Sequence, residues 1–275
     1  MWRPKPKYQD RVWLHLLLFA LTVGTTSLVG GWAYSATILA ILGCHEFGHY
    51  FACRYYDVDA SLPFFLPAPF ALTGTLGAFI RIREPIPSKR MLFDIGIAGP
   101  IAGFVIAVPA LFLGMWMSRV VVFPSGIDGF ELGEPLLFKL ATRLIWGPIA
   151  DGYTVNLHPV AFGAWFGLLA TALNLFPIGQ FDGGHISYAV LGRKSSQVTL
   201  LMIGCAAVLT YFSLSWLVWT VLAIGMLLLF GRHHPRTFDE DVPLDPARQR
   251  LALFAVVIFI LCFTPAPIEP LKLLR

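Results

Sequence analysis

Long apolar runs alternate with short polar joints along the chain. Six runs approach the ~20 residues that carry a helix across a hydrocarbon core. They cover about 12–30, 32–53, 93–117, 160–176, 198–212 and 214–230. A seventh, 251–263, is short, and its pattern fits either a crossing or an interfacial helix. Gly30-Gly31 predicts a tight turn between the first two runs. Residues 54–93 break the rhythm. Within them, Leu62-Pro63-Phe64-Phe65-Leu66-Pro67-Ala68-Pro69 is apolar yet too proline-rich for a regular helix. Gly74 to Arg83 ends in strand-like alternation. Irregular apolar backbone at a membrane must be shielded by protein or line a cavity. The pattern therefore predicts an all-α integral membrane protein, a bundle of about six to seven transmembrane helices with a re-entrant loop and a short β-hairpin. Residues 1–275 read as one polytopic domain, with a core at about 33–195 and C-terminal helices at about 198–275.

Composition sharpens this picture. Of 275 residues, 57% are hydrophobic and 13% charged, against about 25% charged in soluble domains. The net charge of +4 is spread over short joints, so the lipid bilayer is an expected partner and nucleic acid is not. Arg3, Lys5, Lys7 and Arg11 precede the first run. Arg54, Arg81, Arg83, Lys89 and Arg90 follow the second, and Arg193 and Lys194 follow the fourth. The positive-inside rule then puts the N-terminus on the cytoplasmic side. No A-x-A site follows the first run, so an uncleaved first helix in a prokaryotic plasma membrane is expected. Cys44, Cys53, Cys205 and Cys262 show no disulfide or C-x-x-C spacing and read as reduced thiols. Trp2, Trp13, Trp32 and the other tryptophans suit an interfacial belt, Arg81 and Arg83 suit interface anchors, and His233-His234 a solvated turn.

Chemistry concentrates at His45-Glu46-Phe47-Gly48-His49, inside the second run. Ionisable groups are costly in hydrocarbon, so such a cluster points to function. H-E-x-x-H is also a zinc-hydrolase helix signature. Residues four apart share a helix face, so His45 and His49 can hold two corners of one tetrahedral Zn²⁺, with Glu46 at the border as general base. A catalytic zinc needs a third protein ligand. No histidine follows at the next helical spacing. The carboxylate in the matching layer is Asp182, in Pro177-Ile178-Gly179-Gln180-Phe181-Asp182-Gly183-Gly184-His185, where Pro177 and Gly183-Gly184 are expected to break the helix. His185 reads as a neighbour of the site or a fourth contact. Ala98-Gly99-Pro100-Ile101-Ala102-Gly103 predicts close helix packing nearby.

His45-Glu46-x-x-His49 together with Asn174-x-x-Pro177-x-x-x-x-Asp182-Gly183 resembles the site-2 protease family of intramembrane zinc metalloproteases. The resemblance covers about residues 33–195. Phe93-Asp94-Ile95-Gly96-Ile97-Ala98-Gly99-Pro100 is similar to the branch with chloroplast members. The resemblance implies one zinc per chain on His45, His49 and Asp182, water activation by Glu46, and Asn174 contacting the substrate backbone or the oxyanion. The charge pattern, separately, places this site toward the cytoplasm, with the hairpin dipping beside it. The substrate would be a transmembrane protein or peptide, cut in or near its membrane helix. Residues 118–159 are too few for the family's usual PDZ insertion. The rival reading is a divalent-metal transporter, which would spread its ligands along a pore. A protease for prenylated C-termini would need a distal Glu ligand. A zinc-binding chaperone without turnover is a third alternative.

Overall fold

The computed structural model describes residues 9–122, 130–230 and 237–270. Arg3, Lys5, Lys7, Trp2 and His233-His234 lie outside the described residues. The chain is mostly helical. Among the described residues, three helical stretches, Val12–Tyr55, Lys89–Met117 and Asp182–Phe212, are long and apolar enough to cross a membrane. It is an integral membrane protein in which small sheets accompany the helices, so the all-α expectation needs that amendment.

Helix α1 (Val12–Tyr55) doubles back within itself. Gly31 sits at φ 77°, ψ 179°, which a residue with a Cβ rarely adopts. On its two sides, Ser35 Oγ lies 2.7 Å from Thr26 Oγ1 and 3.4 Å from the Val23 carbonyl oxygen. Twelve residues of straight helix would separate Val23 from Ser35 by about 18 Å. The first two apolar runs are therefore two limbs folded on a glycine turn, as Gly30-Gly31 predicted. Thr22 and Thr26 satisfy their hydroxyls on the carbonyls of Leu18 and Thr22.

Strands β1 (Phe64–Pro67) and β2 (Thr75–Phe79) form the expected antiparallel hairpin, with Phe64 opposite Phe79. It lies against α1. His15 Nδ1 donates to the Pro63 carbonyl at 3.0 Å, and Tyr34 Oη donates to the Thr73 carbonyl at 2.8 Å. Arg83, expected as an interface anchor, pairs with Asp10 and Asp59 at the hairpin base. Buried charges need such partners.

Helix α2 (Lys89–Met117) is capped by Ser88, whose side chain accepts from the Arg90 N–H, and it tolerates Pro100 and Pro109 in its interior. Beyond it, the described residues 118–122 and 130–158 form further regular elements. These are β3 (Arg119–Val122), β4 (Phe130–Leu132), α3 (Leu136–Trp146) and β5 (Tyr153–Asn156), with β3 pairing β5. These elements were not expected. Helix α4 (Pro159–Asn174) starts at the His158 cap with proline at its first position, a residue pre-set for that site.

The break before Asp182 lies at residues 175–181, and Gly183-Gly184 do not interrupt the helix as predicted. They fall in the first turn of α5 (Asp182–Leu191). A Cβ at either would meet the backbone of Leu175–Phe176 or Ile178–Gly179. The glycines let the helix start close to the chain that precedes it. Helices α6 (Ser195–Phe212) and α7 (Trp216–Phe230) form a hairpin. Helix α8 (Pro246–Cys262) begins before the apolar run, at the Asp245 cap, and buries Ile258 and Cys262 in the bundle. Strand β6 (Ile268–Pro270) returns to β4. The core lies where α1, α2 and α4 meet, around Tyr34, Phe93, Leu111, Trp165 and Leu168. Trp13 and Trp32 are exposed as a belt requires, whereas Trp165 and Trp216 are buried and donate to the Gly133 and Pro265 carbonyls.

Candidate metal centre

The second limb of α1 carries His45, Glu46 and His49 on a buried face; they are 4, 5 and 6% exposed. Asp182, the first residue of α5, points at them. Its Oδ2 is 3.2 Å from His45 Nε2 and 3.2 Å from His49 Nε2. The two Nε2 atoms are 3.1 Å apart. His49 Nδ1 donates to the Ile95 carbonyl of α2 at 2.7 Å. A carbonyl can only accept, so Nε2 is left with the free lone pair.

Lone-pair-bearing atoms at these separations repel unless a proton or a cation lies among them. A tetrahedral zinc with bonds of ~2.0–2.1 Å sets its ligand atoms about 3.3 Å apart, close to the three distances found. Imidazole and carboxylate are also donor types that zinc accepts. His45, His49 and Asp182 could thus hold one metal ion, and the donor set fits zinc.

Close approach of α2 makes the arrangement fit. A Cβ at Gly99 would overlap the His49 imidazole, one at Gly48 would press on the Ala98 backbone, and one at Gly103 would crowd His45. The small-residue run read from the sequence has this role. A cavity of about 310 Å³ opens beside the cluster. Ala78, Phe79 and Ile80 of the hairpin, Ile95 and Gly96 of α2, Asn174 and His185 line it together with Glu46. Asn174 ends α4 with Nδ2 3.0 Å from His45 Nε2. His185 lies at the cavity wall, one turn after Asp182, outside the set of converging ligand atoms.

All five expected site residues are therefore gathered in one place. The part missed was main-chain: the Ile95 carbonyl that fixes the His49 ring. Its only trace in the sequence is the small-residue run three positions later, which announces the close crossing of α2.

The chain is similar to several zinc metalloproteases. The probable zinc metalloprotease EGY2, chloroplastic, of Oryza sativa subsp. indica is 29% identical over 92% of this chain and 46% of its own length. The probable zinc metalloprotease EGY1, chloroplastic, of Oryza sativa subsp. japonica is 30% identical over 84% and 40%. The Arabidopsis thaliana EGY2 protein is 27% identical over 82% and 40%. The chain thus spans less than half the length of these relatives. Residues 33–212, both motifs included, match the sequence pattern of peptidase family M50. The chain belongs to that family, the site-2 protease family that its motifs resemble.

Proposed function

We propose that the chain is an intramembrane zinc metalloendopeptidase that hydrolyses peptide bonds in or near transmembrane helices of membrane-protein substrates. The observation that carries this is the convergence of three ligand atoms and a buried glutamate on one cavity within a membrane bundle. His45, His49 and Asp182 hold zinc, which supplies a Lewis acid for the carbonyl and acidifies water. Glu46, on the wall of the same cavity, takes the proton and returns it to the leaving amine. Asn174 donates to the substrate backbone or to the oxygen that gains charge. A helical substrate must unwind first, and Gly or Pro lowers that cost, since they disfavour helix by ~1 and ~3 kcal/mol. The end of β2 lines the cavity and supports holding the unwound segment by strand addition.

The basic joints support a site on the side of the membrane that carries the Lys- and Arg-rich loops; the matched relatives are chloroplastic. The two limbs of α1, together with α2, α4, α5–α6, α7 and α8, support six to seven spans in one domain. Ligand atoms clustered in one layer beside a base do not favour the transporter reading. Glu46→Gln should keep its zinc and lose cleavage of a model membrane substrate by about 10²- to 10⁴-fold; cleavage at the wild-type rate removes Glu46 as base. Asp182→Ala should lose zinc by elemental analysis, and full occupancy removes Asp182 from the ligand set.

A further inference from the structure

Helix α8 lies beyond the stretch matched to the family, which ends at residue 212, yet it reaches back to the turn of α2 that carries Asp94 and Ile95. Arg248, in its first turn, donates from Nε to Asp94 Oδ1 at 2.8 Å and from a terminal nitrogen to Asp94 Oδ2. The contact is two-pronged, the geometry that guanidinium and carboxylate share. Tyr56, just past the end of α1, donates to the same Oδ2. Arg248 is held in turn by Asp245, whose carboxylate also caps α8. Both partners are well covered: the Arg248 side chain is 14% exposed and that of Asp94 22%.

Asp94 adjoins Ile95, whose carbonyl receives the His49 Nδ1–H. Successive residues on a helix point about 100° apart. One side of this turn of α2 is thus gripped by Arg248 and Tyr56, and another meets His49. Rotation or sliding of α2 by about an ångström would stretch the 2.7 Å bond to His49 beyond hydrogen-bond range. It would also press Gly99 on the imidazole, because no space remains there.

We propose that Asp94 and Arg248 form a positioning clamp that sets α2 against His49, so that the C-terminal helix tunes the affinity of the metal centre without touching it. The clamp rests on His49 being a zinc ligand. Outer partners of ligating histidines typically change metal affinity by 10- to 100-fold, and this pair acts one link further out, so about tenfold is expected.

The test uses the full chain in detergent, stripped of metal and titrated with Zn²⁺ and with Co²⁺, whose visible absorption reports ligand geometry. Arg248→Met and Asp94→Asn should each weaken Zn²⁺ binding about tenfold and alter the Co²⁺ band. The double variant should be no worse than either single one, since both break the same link. Arg248→Lys should recover part of the loss, because an ammonium meets the carboxylate as a point charge without the fork. Arg193→Met, which breaks an exposed pair with Glu240, should bind as wild type. Wild-type affinity and an unchanged Co²⁺ band in Asp94→Asn overturn the clamp. Should Arg248→Met fail to fold, wild-type affinity and a wild-type Co²⁺ band in Arg248→Gln, which keeps a polar side chain without the charge, overturn it equally. A wild-type chain that binds neither ion sinks the metal centre itself, a different result from a wild-type chain that binds while the variants match it.

Discussion

Gly99 lies where α2 passes against the imidazole of His49, one of the proposed metal ligands. Gly99→Ala places a methyl group on the His49 ring, and neither a helix backbone nor a ring tethered to Ile95 has room to yield. Overpacking of this kind costs about 1–3 kcal/mol, and here the displaced atom is a donor of the cluster. The variant should lose zinc affinity by more than its fall in thermal stability suggests; zinc titration beside a melting curve separates the two. At this scale the sequence was highly legible. His45 and His49 share a face because four residues make about one helical turn, and Asp182 was the carboxylate in the matching layer. The Ile95 carbonyl was hidden, since every residue carries a carbonyl and only packing selects one. The pairing of Arg83 was hidden for a related reason: its partners Asp10 and Asp59 are far away in the chain, and distant pairing leaves no periodic mark.

At the scale of elements, the joint between α7 and α8 ties down the start of α2. Asp239 accepts from the Lys89 N–H at 2.7 Å and from Ser88 Oγ at 2.9 Å, while Lys89 Nζ donates to the Glu240 carbonyl at 2.8 Å. Partial burial pushes the Asp239 carboxyl up, but these donors outweigh it and hold the group below its ordinary value of 3.8. A carboxyl depressed in the folded state stabilises the fold above its ordinary pKa, and that contribution disappears as pH falls through the folded value. Asp239→Asn should therefore be less stable than wild type from pH 5 to 7, and the gap should close below about pH 4. Melting curves across that range check it; a gap that widens in acid contradicts it. Helices announced themselves by apolar runs, and the α1 turn and the hairpin by Gly and Pro. Helix α3 and the pairing of β3 with β5 and of β4 with β6 did not. Their strands are three or four residues long, too short for alternation to stand out. Gly183-Gly184 looked like a helix break because glycine signals both a stop and a close approach, and only the neighbouring backbone tells which.

Over the whole molecule, the proposed zinc links elements that otherwise meet mainly through α2: the second limb of α1 and the start of α5. A ligand that binds only the folded state adds about 4 kcal/mol when its free concentration is 1,000 times its dissociation constant. Chelation should lower the melting temperature of the detergent-solubilised protein, and restored zinc should return it. An unchanged melting temperature would mean that no such tie exists. The overall plan, spans enclosing a buried polar cluster beside a hairpin, followed from the sequence because bilayer thickness and the cost of buried charge leave few alternatives.

The doubling back of α1 at Gly31 also has a consequence for synthesis. It brings His45 and His49 into place early, while Asp182 lies more than a hundred residues later in translation. A nascent chain would carry two imidazoles and the glutamate well before it could close the third corner of the cage. The proposed zinc site would then be complete only once α5 has joined the bundle, so a chain abandoned midway through insertion would lack its third ligand.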